Sequence, residues 1–529
     1  MVPIRVREVL EATDGTLLCG DIESVITDVV TDSRSAKEGT LFVPVIGERV
    51  DAHRFIPDVM AAGAAASFTS DPDITAAIPD GMARGSGEAA GSADGVPEEA
   101  AGNVPDGFAC IYVRDTIEAL QKLAAAYRAK FDIPVIGVTG SVGKTTTKEM
   151  ISAVLSRKYH VLKTIGNLNS QIGTALMMFH IDEQTELGVF EMGISLPGEM
   201  ARLVEIVKPQ TAVMTNIGVS HIGNLGSREA ITYEKGHIIK YVGTEEAAGR
   251  LGGRMYVCGN GDLRQLSKEN LPWKIVSAVT DGTDSGTEKQ NEKQTPREEI
   301  SAGDIVYYGT EPDCDRRADG IQVTERGQRF VYHGQGSCEV ELSVMGAHNV
   351  NNAVIALALA EQFGVDLTAA AAALAEYRPF SMRGERKDCH GYHIIDDTYN
   401  ASPDSINSNI DALFDYGEDG RKIAVLGDVL ELGEQREELH RGIGTFILKE
   451  AAEGKKLSYV VTVGEGAGFI AEHIREHSDI PTEKCATTEE AAAWIREMAR
   501  PGDWILVKGS RGMHMDEVVE KVVMSCTQM

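Results

Sequence analysis

Apolar positions change their spacing several times along the chain, and the changes outline its organisation. From residue 134 to about 364, short runs rich in β-branched residues alternate with stretches where apolar residues recur every three or four positions: 135–138 then 144–154, 187–190 then 197–207, and 212–216 then 228–241. This rhythm predicts strands alternating with helices in a mostly parallel sheet, whose ligands lie at the carboxyl ends of strands. A second alternation starts near Tyr392, with strands expected at 394–396, 423–426, 460–463 and 505–507, and reads as a separate Rossmann-like unit without a G-x-G-x-x-G turn. Ahead of both lies a small mixed unit with strand-like patterns at 25–30 and 41–45 and a helical stretch near 55–62. Ile117, Leu120 and Leu123 or Ala124 share one face of a further helix, which Asp115 or Thr116 is placed to cap. The fold class expected is α/β.

Two stretches, about 80–106 and 281–299, are rich in Gly, Ser, Glu, Lys and Gln and lack apolar periodicity, so they are expected as mobile insertions. The expected division is 1–108, 109–378 and 379–529, and 529 residues suffice for three such domains. The 51 Lys and Arg against 80 Asp and Glu give a net charge of -29, which argues against nucleic acid or anionic membranes as partners. Eight cysteines are spread widely, with no C-x-x-C pair, and suggest reduced thiols. No signal-peptide pattern and no run of roughly 18 apolar residues is present, so a cytoplasmic protein without stable membrane insertion is expected.

The segment Thr139-Gly-Ser-Val-Gly-Lys-Thr-Thr146 joins a buried strand to a helix start. In such a turn the backbone N–H groups and the helix dipole surround polyphosphate oxygens; Lys144 adds a mobile charge and Thr145 a hydroxyl for Mg²⁺. Val138 stands where the strict phosphate-loop pattern has glycine. Glu191 follows an apolar strand directly, which suits a divalent cation. From the residues alone His221 fits a ligand or a satisfied turn histidine equally, and Lys235 reads as a surface lysine. Asn349 and Asn352 have the donor–acceptor pairs an adenine edge requires, although capping of the following helix explains an asparagine there just as well.

Together these segments resemble the Mur ligase family, over nearly the whole chain outside the insertions. The resemblance rests on Thr139–Thr146, Glu191-Met-Gly, Thr215-Asn-Ile-Gly with His221, and Gly346-Ala-His-Asn-Val-Asn-Asn-Ala; the D-alanyl-D-alanine-adding branch is matched by Thr147-Lys-Glu, Gly166-Asn-Leu-Asn, Asp396-Asp-Thr-Tyr-Asn-Ala-Ser-Pro-Asp-Ser, Val425-Leu-Gly-Asp-Val-Leu-Glu-Leu-Gly with His440, and Val507-Lys-Gly-Ser-Arg. It implies three domains: a UDP-binding one, a central ATP-binding one and a C-terminal Rossmann-like one. The implied activity is ATP-dependent ligation of D-alanyl-D-alanine to a UDP-N-acetylmuramoyl-tripeptide through an acyl phosphate. By the same resemblance, residues 139–146 (Thr139, Gly140, Ser141, Val142, Gly143, Lys144, Thr145 and Thr146), Asn349, Asn352, Arg383 and Asp397 face ATP, with Arg386 a rival for Arg383. Thr145, Glu191, His221 and a carbamylated Lys235 serve Mg²⁺, and Lys144, Lys235 and His221 serve catalysis. Asp32, Ser33, Arg34, Gly47, Asp51, His53, Asn167, Asn169, Tyr399, Asn400 and Lys508 face the other substrates. His237 stands where the branch usually has glutamate, and Ala52 where it usually has glycine.

Overall fold

A computed structural model describes residues 1–47, 49–72, 108–242, 253–259, 263–271, 274–276, 299–301, 304–324, 327–417 and 420–527. The first expected insertion and all but the last residue of the second lie outside these residues. The chain forms two compact units: Met1–Val135 with Thr164–Met192 and Arg202–Lys208, and Ile136–Lys163 with Gly193–Ala201 and Pro209–Met529.

The first unit is built on a five-stranded sheet in the order Thr16–Cys19, Ala109–Tyr112, Ala66–Thr69, Thr40–Phe42 and Asp28–Val30. The last four are parallel and the first is antiparallel to its neighbour. Phe42, Ile56, Val59 and Phe108 pack into one core there. Helix Thr116–Arg128 begins where Asp115 accepts from the N–H groups of Ile117 and Glu118 at 2.8 and 2.9 Å, so of the two expected caps it is Asp115 and not Thr116. Its Tyr127 hydroxyl donates to the Ile181 carbonyl at 2.8 Å and accepts from the Val2 N–H at 2.7 Å, tying three distant segments together. Asp115→Ala leaves two helix-end donors to water, and a loss of about 1 kcal/mol is expected from the urea midpoint followed by circular dichroism.

In the second unit, strands Val135–Thr139, Thr211–Met214, Met255–Cys258, Ile305–Gly309 and Arg316–Thr324 are successive parallel neighbours. Gly327–His333 and Ser337–Leu342 then extend the sheet in antiparallel register, an extension the strand–helix rhythm does not predict. Only two residues separate the first pair of these strands and three the second, too few for a crossover helix, so the chain reverses rather than crossing over. Farther along, a six-stranded sheet runs in the order Glu385–Cys389, Tyr392–Asp396, Trp504–Lys508, Lys422–Gly427, Tyr459–Val463 and Thr482–Cys485, parallel except at its first strand. Ile394, Ile423, Val425, Val461, Ile505 and Val507 form its core with Val518, Val519 and Val522. All four strands expected in this region are present.

The expectation of reduced thiols throughout needs one correction. Cysteines 19, 110, 258, 314, 338 and 485 are free, whereas Cys389 is disulfide-bonded. Cys389 ends an edge strand against which helix Asp516–Thr527 packs, an approach between distant segments that cysteine spacing alone does not reveal. Among the described residues, no helix is long and apolar enough to cross a membrane.

Candidate active site

The turn after Val135–Thr139 is held from below by the next strand's end. Thr215 donates through its hydroxyl to the Val142 carbonyl at 2.6 Å, the Asn216 side chain accepts from the Val142 N–H at 2.7 Å, and the Asn216 carbonyl accepts from the Ser141 N–H at 3.0 Å. Gly140 has φ of +146°, and a Cβ there would lie 2.0 Å from the Thr215 hydroxyl, so no other residue fits. Gly143, at φ +85°, caps helix Lys144–Leu155. The Lys144 ammonium folds back on the carbonyls of Gly140 and Ser141 at 2.8 and 3.3 Å, held ready at the mouth of the turn. Thr145 is buried at the helix start.

Asn352 is part of this support. Its side-chain oxygen accepts from the Thr147 hydroxyl at 2.9 Å, its amide donates to Asn349 at 3.2 Å, and a Cβ on Gly143 would lie 3.3 Å from that oxygen. The following helix is capped by Gly346 without a side chain, so capping does not explain either asparagine. Asn349, half-buried, donates to the Met345 carbonyl at 2.8 Å.

Lys235 departs most from a residue-by-residue reading. It is 1% exposed, and burial, followed by repulsion from Lys144, pushes its amine well below the usual lysine range, with Glu234 and Glu199 pulling the other way. Burial of this kind makes the amine easier to deprotonate than that of a surface lysine. His237 turns its Nδ1 to the Glu234 carbonyl at 3.2 Å and sets its ring edge-on to Tyr233.

His221 sits at φ +62°, and its Nδ1 lies 2.5 Å from the carboxylate of Glu431, itself at φ +63°. Two non-glycine residues in the left-handed region meeting across two sheets mark a constrained contact. Burial lowers the imidazole's pKa; Glu431 opposes that shift, and the charges of Lys235 and Lys144 reinforce it. The same face is joined by Asp404, which accepts from the Val219 N–H at 2.9 Å, and by the Glu431 carbonyl, which accepts from the Gly223 N–H at 3.2 Å. Glu431 and Asp404 lie within two of the quoted motifs, but their partners are not legible there, because only the packing of the two sheets of this unit brings them to the loop after Thr211–Met214.

In the 379–527 region, Lys508 is 3% exposed, pairs with Asp397 and donates to the Asn400 carbonyl at 2.9 Å. Arg383 stacks over Tyr399, 4.0 Å from its centroid. Arg386 instead pairs with Asp388 at 2.9 Å and lies over Trp504, so the two arginines have different partners. Asp396 is a structural acid, bonded to Lys387 at 2.6 Å and Thr398 at 2.7 Å, and His440 is fully buried between Val429 and Arg436.

In the first unit, Glu191 is 2% exposed and accepts from the Asn169 amide at 2.7 Å, while its own N–H donates to Thr164. Asn167 is exposed on the same loop. Asp32 caps the turn Ser33–Ser35, and its hydrogen bonds with the Arg34 side chain hold its carboxyl down at about 2. His53 is buried with both ring nitrogens engaged: Nε2 accepts from the Ser70 N–H at 3.0 Å and Nδ1 meets Asp51 at 2.6 Å. The ring thereby orders the loop carrying Gly47 and Asp51.

Three family models match successive stretches: residues 25–128 match the Mur ligase family catalytic domain, 138–360 the Mur ligase middle domain, and 382–511 the Mur ligase glutamate ligase domain. The UDP-N-acetylmuramoyl-tripeptide--D-alanyl-D-alanine ligase of Bacillus subtilis (strain 168) is 34% identical over 528 residues, covering 99% of both chains. The ligase of the same name from Escherichia coli (strain K12) is 29% identical, with 98% of each chain covered. Among solved structures, MurF from Acinetobacter baumannii superposes with a TM-score of 0.77 at 27% identity over 99% of both chains. MurF ligase from Thermotoga maritima in complex with ADP gives 0.72 at 25% identity, over 95% of this chain and 98% of that one. With the phosphate loop formed and relatives matching from end to end, the chain belongs to the Mur ligase family.

Proposed function

We propose that this protein is an ATP-dependent ligase that joins D-alanyl-D-alanine to a UDP-N-acetylmuramoyl-tripeptide, yielding the pentapeptide precursor, ADP and phosphate. The observation that carries this reading is the end-to-end likeness to ligases of that name, with the turn 139–146 built to receive a polyphosphate. The reaction takes place in the cytoplasm, and the domains divide near residues 108 and 378.

The terminal carboxylate of the tripeptide attacks the γ-phosphorus of ATP, and ADP leaves. The resulting acyl phosphate is attacked at carbon by the dipeptide's amine, and inorganic phosphate leaves as the amine loses its proton. Positioning and charge neutralisation are the protein's contributions. Lys144 turns from the loop carbonyls to the phosphate oxygens, beside the loop's N–H groups. Arg383, Asp397 and Asn349 serve ATP from the C-terminal sheet and the helix Ala347–Phe363, and Asn352 supports the loop from beneath. Tyr399, Asn400 and Lys508 face the incoming dipeptide. Residues 32–34 and 47–53 grip the UDP group, with Asn167 and Asn169 on the tripeptide side.

An oxygen-rich donor set fits Mg²⁺. Thr145, His221 and a carbamylated Lys235 would hold it in the second unit, and Glu191 offers a buried carboxylate in the first. When bound, it neutralises phosphate charge. The buried, easily deprotonated Lys235 amine is suited to take up CO₂, giving an anionic carbamate in place of a cation. A carbamate carbon signal from ¹³C-labelled bicarbonate is expected in the native protein and absent in Lys235→Ala, whose kcat falls roughly 10²-fold; equal signals in both would refute carbamylation at this lysine.

The reading as a whole is tested by phosphate release with ATP, the UDP-linked tripeptide and D-alanyl-D-alanine, omitting each in turn. Release that stays equal without the dipeptide is incompatible with the ligase assignment.

A further inference from the structure

Helix Glu465–His477 ends in a cluster that the ligase reading does not use. His473, Glu476 and His477 are spaced i, i+3 and i+4, which puts them on one face of the last turn. Their potential ligand atoms all lie within 4.8 Å of one another, and the two imidazole centroids are 4.5 Å apart. His473 is half-exposed and the other two are exposed.

Each imidazole has one nitrogen engaged and one lone pair left. His477 directs Nδ1 to the His473 carbonyl at 2.8 Å, which makes Nδ1 the protonated nitrogen and leaves Nε2 the lone pair. The Thr445 hydroxyl, from helix Arg436–Ala452, donates to the Arg441 carbonyl at 3.2 Å. Its oxygen is therefore the acceptor at 3.0 Å from His473 Nε2, and Nδ1 of that ring keeps the lone pair. Bonds of this kind select the tautomer and orient histidines that ligate metals. The ring of His473 lies against Gly444, where a Cβ would come within 3.0 Å of it, so its position is set by packing as well. Glu476 accepts from Arg441 at 3.2 Å, but Arg441 also bonds Glu437 at 3.0 Å and lies 3.7 Å from Glu472. Turning Glu476 away from this exposed pair costs little.

Two imidazole nitrogens and one carboxylate oxygen, with the remaining positions open to water, form a donor set for a borderline divalent transition cation rather than for Mg²⁺, which takes oxygen ligands in octahedral array. A cation bound here also sits at the negative end of the helix dipole and staples the last turn. We propose that His473, Glu476 and His477 form a surface zinc site, separate from the residues assigned to ATP and the peptide substrates.

The test is calorimetric titration of chelator-stripped full-length protein with zinc chloride in excess Mg²⁺, which masks sites built from oxygen ligands. His477→Ala and the pair His473→Gln with His477→Gln are titrated alongside, and all variants share the same free thiols. One zinc equivalent is expected in the native protein and not in the double variant, with at least a tenfold weaker Kd in His477→Ala, about 1.4 kcal/mol. Circular dichroism identifies any variant that misfolds, and Glu476→Gln, which keeps both rings, should weaken binding without abolishing it. Native and double-variant isotherms that coincide, or a native protein that takes up no zinc at micromolar concentration, would overturn the proposal.

Discussion

Lys144→Ala lowers kcat for dipeptide-dependent phosphate release by roughly 10²–10³-fold while leaving the fold intact. The loop does not depend on this side chain for its shape: Thr215 and Asn216 hold Ser141 and Val142 through bonds that the substitution leaves untouched. The ammonium's own bonds, to the carbonyls of Gly140 and Ser141, are made at the rim, and their loss changes stability by no more than about 0.5 kcal/mol. What disappears, on the proposed mechanism, is the mobile positive charge that follows the transferring phosphoryl group. Lys144→Arg does not restore it, because a planar guanidinium cannot occupy a turn shaped around a compact ammonium. Stopped or continuous phosphate assays on both variants, with thermal melts alongside, measure this. Wild-type kcat in Lys144→Ala at saturating ATP would mean that the loop binds something other than the reacting nucleotide.

The second large effect concerns the approach of the C-terminal sheet to the loop after Thr211–Met214. At Gly218 a Cβ would lie 2.1 Å from Asp404 Oδ2 and 2.7 Å from its Cγ. Gly218→Ala therefore displaces the carboxylate that accepts from the Val219 N–H and loosens a face that also carries the His221–Glu431 contact. On the proposed mechanism both sheets serve one nucleotide, so a shift of about an ångström there costs on the order of 10² in kcat. Asp404→Ala removes the atoms that clash. In the double variant the two losses should therefore fail to add, with part of the activity lost in Gly218→Ala regained. Strictly additive losses, or an unchanged kcat in Gly218→Ala, would show that turnover does not use this approach.

The phosphate loop was legible because everything that defines it is local: a β-branched strand, glycines where φ is positive, and a lysine and threonines opening a helix. The Asp115 cap and the four parallel strands of the C-terminal sheet were legible for the same reason. The strands from 316 to 342 were not, because a strand's pattern does not say whether the chain will cross over or reverse. Lys235 was misread from its own surroundings, since Glu234 and Gly236 beside it suggest solvent; the family resemblance pointed to a functional lysine, and its burial became visible only once the fold was assembled. Arg383 and Arg386 are likewise equivalent by spacing, and only the fold gives them different partners, Tyr399 for one and Asp388 with Trp504 for the other. His53, read as a substrate residue, also proved to order its loop through Ser70, a partner that no spacing rule connects to it.

By itself the sequence determined the α/β class, the alternating strands and helices on either side of the 316–342 strands, the nucleotide turn and the family, since periodicity, turn chemistry and motif order are properties of neighbouring residues. Tertiary structure alone decided which ionisable groups are buried, which asparagine supports the loop, and that Asp404 and Glu431 meet the loop of Gly218 and His221. Those outcomes depend on desolvation and on contacts between residues far apart in the chain, and both arise only when the sheets are packed.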